Sequence, residues 1–304
     1  MAFRTVYSSK LTDKQIRNLF IKKRYSRKLS CKKCLSLRIA WISDKKYRCK
    51  DCWSFGSLTK GTWLGRSRKS LRFWYELFWC FTLSHPAAKS AKLLQINRRT
   101  CWAGYQIIRQ AILQTSYQNR KKFKGTVELD ESFYGGTFKN LRKQIKMELR
   151  RLGLNKRGGG AKYRKQPVFG IFKRNGEVYL EPVPEARAKV LTPIIRKRVR
   201  LGSDVFSDTG AWYTGLVGLG YVHRTVDHGK EEYVAGEVHI NGLEGFWGLS
   251  KTNMHTYKGI KKKNWILYLK EMEWRYNNRK LKFDEMVEKL ITILITYKRG
   301  VFVP

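Results

Sequence analysis

The sequence predicts a protein of the α/β class, with a small four-cysteine module and a helical segment ahead of the main core. Three observations lead there. Over residues 124–280, apolar runs of strand length alternate with stretches of helical period. Upstream, Cys31, Cys34, Cys49 and Cys52 form two CxxC pairs separated by 14 residues. Between these regions, residues 68–118 carry apolar side chains at helical spacing.

Charge narrows the partner before any element is placed. The 304 residues include 64 Lys and Arg against 23 Asp and Glu, a formal charge of +41. Such an imbalance selects a polyanionic partner rather than a fold. The 13% aromatic content suits contacts to distorted or single-stranded DNA, although an RNA-binding or ribosomal-type protein carries the same charge signature. The first 14 residues lack the apolar centre of a signal peptide. The most apolar stretches, 73–83 and 290–297, fall far short of the ~20 residues that span a bilayer. The expectation is a cytoplasmic, nucleoid-associated protein with no membrane partner. Six cysteines in that compartment argue for a metal site rather than disulfides.

Residues 1–25 read as a short basic helix. Thr12 and Gln15 make a capping box, and Ile16, Leu19 and Phe20 follow on one face. DNA contact and simple packing both remain open for it. Residues 26–60 read as a zinc ribbon. Each CxxC turn converges two thiolates, so two such turns supply four sulfurs at about 2.3 Å from one Zn²⁺. Trp41, Tyr47, Arg48 and Trp53 give the aromatic, basic setting of such a module. Four sulfurs leave no open position for water, so this zinc is structural; a redox pair is the disfavoured alternative. Cys80 and Cys101 sit in helical, aromatic surroundings and read as ordinary buried cysteines.

Residues 68–118 read as a helix–turn–helix region. A first helix, about 69–83, carries Phe73, Trp74, Leu77 and Phe78 as core. Ser84 is placed as the cap of a helix opened by Pro86 and running to 94. After a break at 95–97, a second helix over 98–114 presents Tyr105, Ile108 and Ile112 on one face. Arg98, Arg99 and Thr100 stand at its start, where base edges are read. A helical hairpin that only packs is the alternative to DNA recognition.

In residues 124–280, VELD is a short strand ending at Asp130, and PVFGIFKRNGEVYLEPV is a hairpin about Asn175 and Gly176. A helix over 188–200, a strand ending at Asp208, the strand YVHRTV and helices over 242–256 and 263–279 complete the order. A basic insertion, 138–166, holds eleven Lys or Arg and the glycines 158–160. It reads either as a flexible loop that clamps DNA or as a solvated tether. The last segment, 284–299, is an amphipathic docking or dimer helix.

Three acids stand out within this frame. Asp130 closes its strand; Glu128 shares its face by period two, and Glu131 points the other way. Asp208 closes a second strand, with Asp204 as its competitor. Glu244 lies early in a helix, with 35 residues between it and Asp208, and Lys251 follows by seven. Seven residues at 100° return Lys251 to within about 20° of the Glu244 face.

The element order over 124–280 resembles a ribonuclease H-like core. The stretches VELDESFYGG, VFGIFKRNGEVYLEPV, SDTGAWY, HINGLEGFWGLSK and LYLKEMEWRYNNR resemble small bacterial insertion-sequence DDE transposases, a group related to eukaryotic Merlin elements. The upstream zinc ribbon and helix–turn–helix agree with that layout. The resemblance implies Asp130, Asp208 and Glu244 as ligands of two Mg²⁺ or Mn²⁺ ions, with Lys251 as an accessory basic residue at the DNA. Some relatives use asparagine as third ligand, which keeps Asn241 in play. Trp274, Tyr276 and Arg279 are assigned to helix packing. The implied reaction frees a 3′-hydroxyl at the element's end and joins it to target DNA. The implied partners are double-stranded DNA, as terminal inverted repeats and target, and at least a second copy of the chain. A catalytically silent DNA-binding regulator and a ribonuclease H-like nuclease without strand transfer are the competing functions.

Overall fold

A computed structural model describes residues 11–25, 28–119, 121–135, 141, 143–153, 165–226, 241–257, 260–298 and 300. The chain divides into two compact units, one of residues 1–118 with 278–304 and one of residues 119–277.

The first unit opens with α1 (Asp13–Arg24), started by the expected capping box: Gln15 N–H donates to Thr12 Oγ1 at 3.2 Å and Thr12 N–H to Gln15 Oε1 at 2.7 Å. Ile16 and Phe20 are buried, and Leu19 is half-buried. Three short strands, β1 (Ile39–Trp41), β2 (Lys46–Cys49) and β3 (Phe55–Ser57), form an antiparallel sheet in sequence order. α2 (Leu71–Thr82) is almost wholly buried, and α3 (Ala87–Leu94) and α4 (Arg98–Gln118) follow. Ser84 does not cap α3 as expected: it takes a left-handed φ of 58°, and Pro86 holds the cap position without a side-chain bond. The reason is local, because Ser84 N–H is already turned back to Phe81 O, closing α2 instead. α4 runs four residues beyond its expected end. Gly104 lets α4 approach α2, since a Cβ there would stand 2.4 Å from Leu77 Cδ2. The C-terminal helix (Phe283–Thr296) packs on α1, α2 and α4 and buries Val287, Leu290, Ile291 and Leu294. Its apolar face is thus covered by its own chain.

The second unit is built on a five-stranded sheet. It comprises β4 (Val127–Tyr134), α5 (Lys143–Arg151), β5 (Gln166–Lys173), β6 (Val178–Pro182), α6 (Ala188–Arg198), β7 (Asp204–Asp208), β8 (Val222–Val226), α7 (Asn241–His255) and α8 (Trp265–Asn277). The strand order is β6-β5-β4-β7-β8. β5 is antiparallel to both neighbours, whereas β4, β7 and β8 are parallel. The β5–β6 hairpin turns where expected, with Asn175 at φ 55°, a left-handed position that asparagine tolerates. Leu129, Phe169, Ile171, Val205, Leu191 and Ile195 form one core between sheet and α6. β6 is an edge, and α8 seals it. Asn277 bonds both the N–H and the carbonyl of Val178 at 2.8 Å, and Glu273 accepts from Leu180 N–H at 2.9 Å.

Two expectations change here. The first strand does not stop at Asp130 but continues to Tyr134, because β5 pairs along its whole length. The basic insertion is not all loop: Lys143–Arg151 is helical, while the glycines 158–160 lie outside the described residues. Among the described residues, no helix is long and apolar enough to cross a membrane.

Candidate active site

Parallel pairing of β4 with β7 runs from Val127↔Val205 to Leu129↔Ser207. Asp130 and Asp208 are the next residue on each strand, so their backbones lie about one strand spacing apart, ~4.8 Å. β7 ends at Asp208, and the chain turns away through a 3₁₀ turn, Ala211–Tyr213. β4 continues beside it, leaving Asp130 with one edge open. Two backbone donors hold these carboxylates: Glu131 N–H to Asp130 Oδ1 at 2.7 Å, and Gly210 N–H to Asp208 Oδ1 at 3.1 Å. Asp204 opens β7, four residues and so roughly 13 Å of strand away from Asp208.

Helix α7 is fastened to β4 along its length. Glu128, 1% exposed, accepts from Leu243 N–H at 2.9 Å and so satisfies a free donor of the helix's first turn. Arg174 Nε lies 3.3 Å from the same carboxylate. Gly242 permits this approach, because a Cβ there would meet Phe172 at 2.3 Å. One turn on, Trp247 Nε1 donates to Asp130 Oδ2 at 2.8 Å. Its ring lies over Gly170, where a Cβ would come within 2.6 Å, and Gly170 is the cross-strand partner of Asp130. A turn further, Tyr134 and Ser250 share a hydrogen bond of 2.9 Å. Glu128, Asp130 and Tyr134 therefore use one strand face to hold successive turns of one helix. Glu244, in the first turn, and Lys251 are both exposed. Asn241, the first residue of the helix, is exposed as well.

Burial pushes the Asp130 carboxyl up to about 6; the Trp247 and Glu131 donors oppose the rise, and Asp208 and Glu244 add to it. Asp208 and Glu244 thus act on Asp130 through charge, but among the described residues the three acids do not draw together into a tight ligand group as the cysteines do. Glu131 projects to the opposite side, where Tyr213 OH donates to it at 2.5 Å. Burial first, and then Asp130 and Asp208, raise it to about 7. Hard carboxylate oxygens of this kind suit a small divalent cation.

The four cysteines form the tight ligand group among the described residues, with all sulfurs within 4.8 Å of one another. Cys31–Cys52 and Cys34–Cys49 are each 3.5 Å apart, near the ~3.8 Å edge of a tetrahedron with 2.3 Å bonds. The two knuckles repeat one another. Cys31 N–H donates to Ser36 O and Cys49 N–H to Ser54 O; Lys33 N–H reaches Cys31 Sγ and Asp51 N–H reaches Cys49 Sγ. Leu35 and Trp53 follow the second cysteine of each with φ of 60° and 59°. Ser54, then backbone donors at Cys34 and Lys33, bring the Cys31 thiol down to about 6. Cys80 and Cys101 are fully buried, and burial raises their thiols to about 12 and about 11.

In the first unit, Gln95 takes a left-handed φ of 52° between α3 and α4. Asn97 Oδ1 accepts from Arg99 N–H at 2.7 Å and starts α4. Arg98 and Arg99 are exposed in its first turn, while Tyr105, Ile108 and Ile112 are buried.

Sequence reasoning did not single out Trp247, or Glu128 as an anchor. A Trp one turn after Glu244, on the side of the helix that faces the sheet, was the available signal. Residues 122–277, just over half the chain, match the family described as the ISXO2-like transposase domain. An uncharacterized transposase-like protein of Haemophilus influenzae is 36% identical over 106 residues, covering 35% of this chain and 85% of its own. An uncharacterized protein in transposable element ISH50 of Halobacterium salinarum is 24% identical over 219 residues, covering 71% of this chain and 72% of its own.

Proposed function

The chain belongs to the family of ISXO2-like transposase domains, an insertion-sequence DDE transposase family, and we propose that it cleaves the ends of its element and joins the freed 3′-hydroxyls to target DNA. The observation that carries this reading is the side-by-side placement of Asp130 and Asp208 on β4 and β7, with Glu244 in the first turn of α7, the helix whose Trp247 bonds Asp130. The strand order, with the acid-bearing strands adjacent at the centre, supports a ribonuclease H-like core.

Asp130, Asp208 and Glu244 offer the donor set for two Mg²⁺ or Mn²⁺ ions, which when bound would lower the pKa of the attacking hydroxyl and offset charge on the phosphate. The remaining work belongs to the chain. Trp247 fixes one oxygen of Asp130 and leaves the carboxylate turned toward the site. Glu128 sets the start of α7, and so the position of Glu244, against β4. Lys251, exposed two turns on, pairs with a DNA phosphate. Arg98 and Arg99 read base edges of the terminal inverted repeat from the start of α4. The four cysteines hold one structural Zn²⁺. Pairing two DNA ends calls for a homodimer or larger assembly on DNA.

The test is cleavage and joining of an element-end duplex in Mg²⁺. Asp130→Asn, Asp208→Asn and Glu244→Gln should each nearly abolish both steps yet keep DNA binding. Lys251→Ala should lose activity but keep metal binding. Full activity in Glu244→Gln with a dead Asn241→Ala would move the third role to Asn241. Full activity in all three acid variants would remove the reading, leaving a silent DNA-binding protein or another chemistry. Cleavage without joining would indicate a nuclease.

A further inference from the structure

The three-stranded sheet of the cysteine module divides its aromatic residues between two faces. Tyr47 is 1% exposed, packs edge-on against Trp41, and lies over Gly56, where any Cβ would collide with its ring. The module's small core is built of Tyr47 with the buried Cys31 and Cys49. Trp53 and Phe55 stand outside it, 60% and 76% exposed. Phe55 is the cross-strand partner of Arg48, so the two share the outer face. The Arg48 guanidinium in turn sits 4.5 Å over the Trp53 ring. Trp53 is also the tip of the second knuckle, held out by its left-handed backbone. Leaving two large rings in water serves no packing purpose.

The charge around them selects the occupant. Residues 28–57 hold eight Lys and Arg against two acids. Both acids are engaged: Asp51 pairs with Arg38 at 2.8 Å, and Asp44 accepts from Leu71 N–H at 2.5 Å. A second copy of the same face would set like charge against like charge. A polyanion would not. In a duplex, bases present only their edges, and their faces are stacked on one another. Unpaired bases offer a π-face to a ring and a phosphate to the neighbouring cation.

We propose that Arg48, Trp53 and Phe55 form a stacking platform for unpaired nucleotides of DNA. The idea rests on the reading of this chain as a DNA-acting protein, and not on cleavage. Bases would stack on Trp53 and Phe55, while Arg48, with Lys46 and Lys50 beside it in sequence, would hold the phosphates.

The test uses the full-length, zinc-loaded protein and fluorescence anisotropy at 0.15 M salt. The probes are a labelled oligothymidine of about 12 nucleotides and a blunt duplex of about the same length. The double variant W53A/F55A should bind the single strand at least about tenfold more weakly, with duplex affinity changed less than about threefold. W53F should keep most of the single-strand binding that W53A loses. Unchanged single-strand affinity, or equal losses on both probes, would overturn the proposal. So would a loss of self-association by sedimentation without a loss of binding, which would make the face a subunit contact. Zinc content and circular dichroism check the fold of the variants. Photocrosslinking of an iodouracil-containing single strand to the unmodified protein is independent of any variant: crosslinks at Trp53 or Phe55 are expected, and crosslinks only elsewhere would sink the idea. Cleavage of a duplex end by the unmodified protein, measured separately, reports on the transposase reading alone.

Discussion

Asp130 shows how one half-buried carboxylate couples stability to the chemistry proposed for it. Burial holds its carboxyl at about 6, above its ordinary 3.8. Between those two values the folded chain binds a proton that the unfolded chain has released, so stability falls as pH rises through that window. A shift of about two units corresponds to on the order of 2–3 kcal/mol. Asp130→Asn should therefore raise the thermal midpoint at pH 7.5 in metal-free buffer, with the gain vanishing toward pH 4. A lower midpoint for Asp130→Asn at pH 7.5 would contradict this account. Trp247 supplies the companion prediction. Trp247→Phe keeps the ring over Gly170 but removes the donor to Asp130. Affinity for Mn²⁺, measured by calorimetry, should fall about tenfold, near the 1–2 kcal/mol of a charge-assisted hydrogen bond, with DNA binding retained. Unchanged Mn²⁺ affinity would assign Trp247 to packing alone.

At the scale of elements, helix α8 guards the edge strand β6 with buried charge. Lys270 is fully buried, 2.7 Å from Glu273 and 3.9 Å over the Tyr179 ring. Removing only the acid leaves a buried cation without this partner and Leu180 N–H without its acceptor. Glu273→Ala should cost about 3–5 kcal/mol in denaturant unfolding. The double variant K270M/E273Q should recover most of that loss, and a loss below 1 kcal/mol for Glu273→Ala would show that the pair contributes little. Helix α4 carries a different expectation. Its exposed first turn makes Arg99→Ala a test of base reading, with about 1–3 kcal/mol lost on an element end and much less on random DNA. An unchanged ratio of the two affinities would remove α4 as the reader.

For the whole molecule, the +41 charge would dominate the DNA association proposed for it. With the proposed Zn²⁺ bound, the cysteine centre would be a folding element of the first unit, since small zinc modules draw on the order of 10 kcal/mol from the metal. Elemental analysis should find one Zn²⁺ per chain. Cys31→Ser should lose it and weaken binding to DNA ends, while the second unit keeps its Mn²⁺ affinity. Metal-free protein with unaltered folding would overturn that role.

The sequence by itself determined the features whose signal is local. The capping box at Thr12, the two knuckles, the Asn175 turn and the interval from Glu244 to Lys251 depend on residues a few positions apart, so backbone period and turn chemistry reveal them. The alternation of strand and helix over 124–280 is of the same kind, and it led to a mixed α/β unit. Strand ends were less legible: VELD looked complete at Asp130, yet β5 holds four further residues in the sheet. Only the tertiary structure decided what each acid touches. Trp247 reaches Asp130 across 117 positions, and Leu243 reaches Glu128 across 115. Glu128 and Asp130 share a strand face and are equivalent by period, but one lies under the first turn of α7 and the other at the end of β7. The same holds for the aromatic residues of the cysteine module, where Tyr47 goes inward and Phe55 outward. Sheet register and helix docking set these contacts, and both arise from burial summed over distant segments, which no local window of sequence contains.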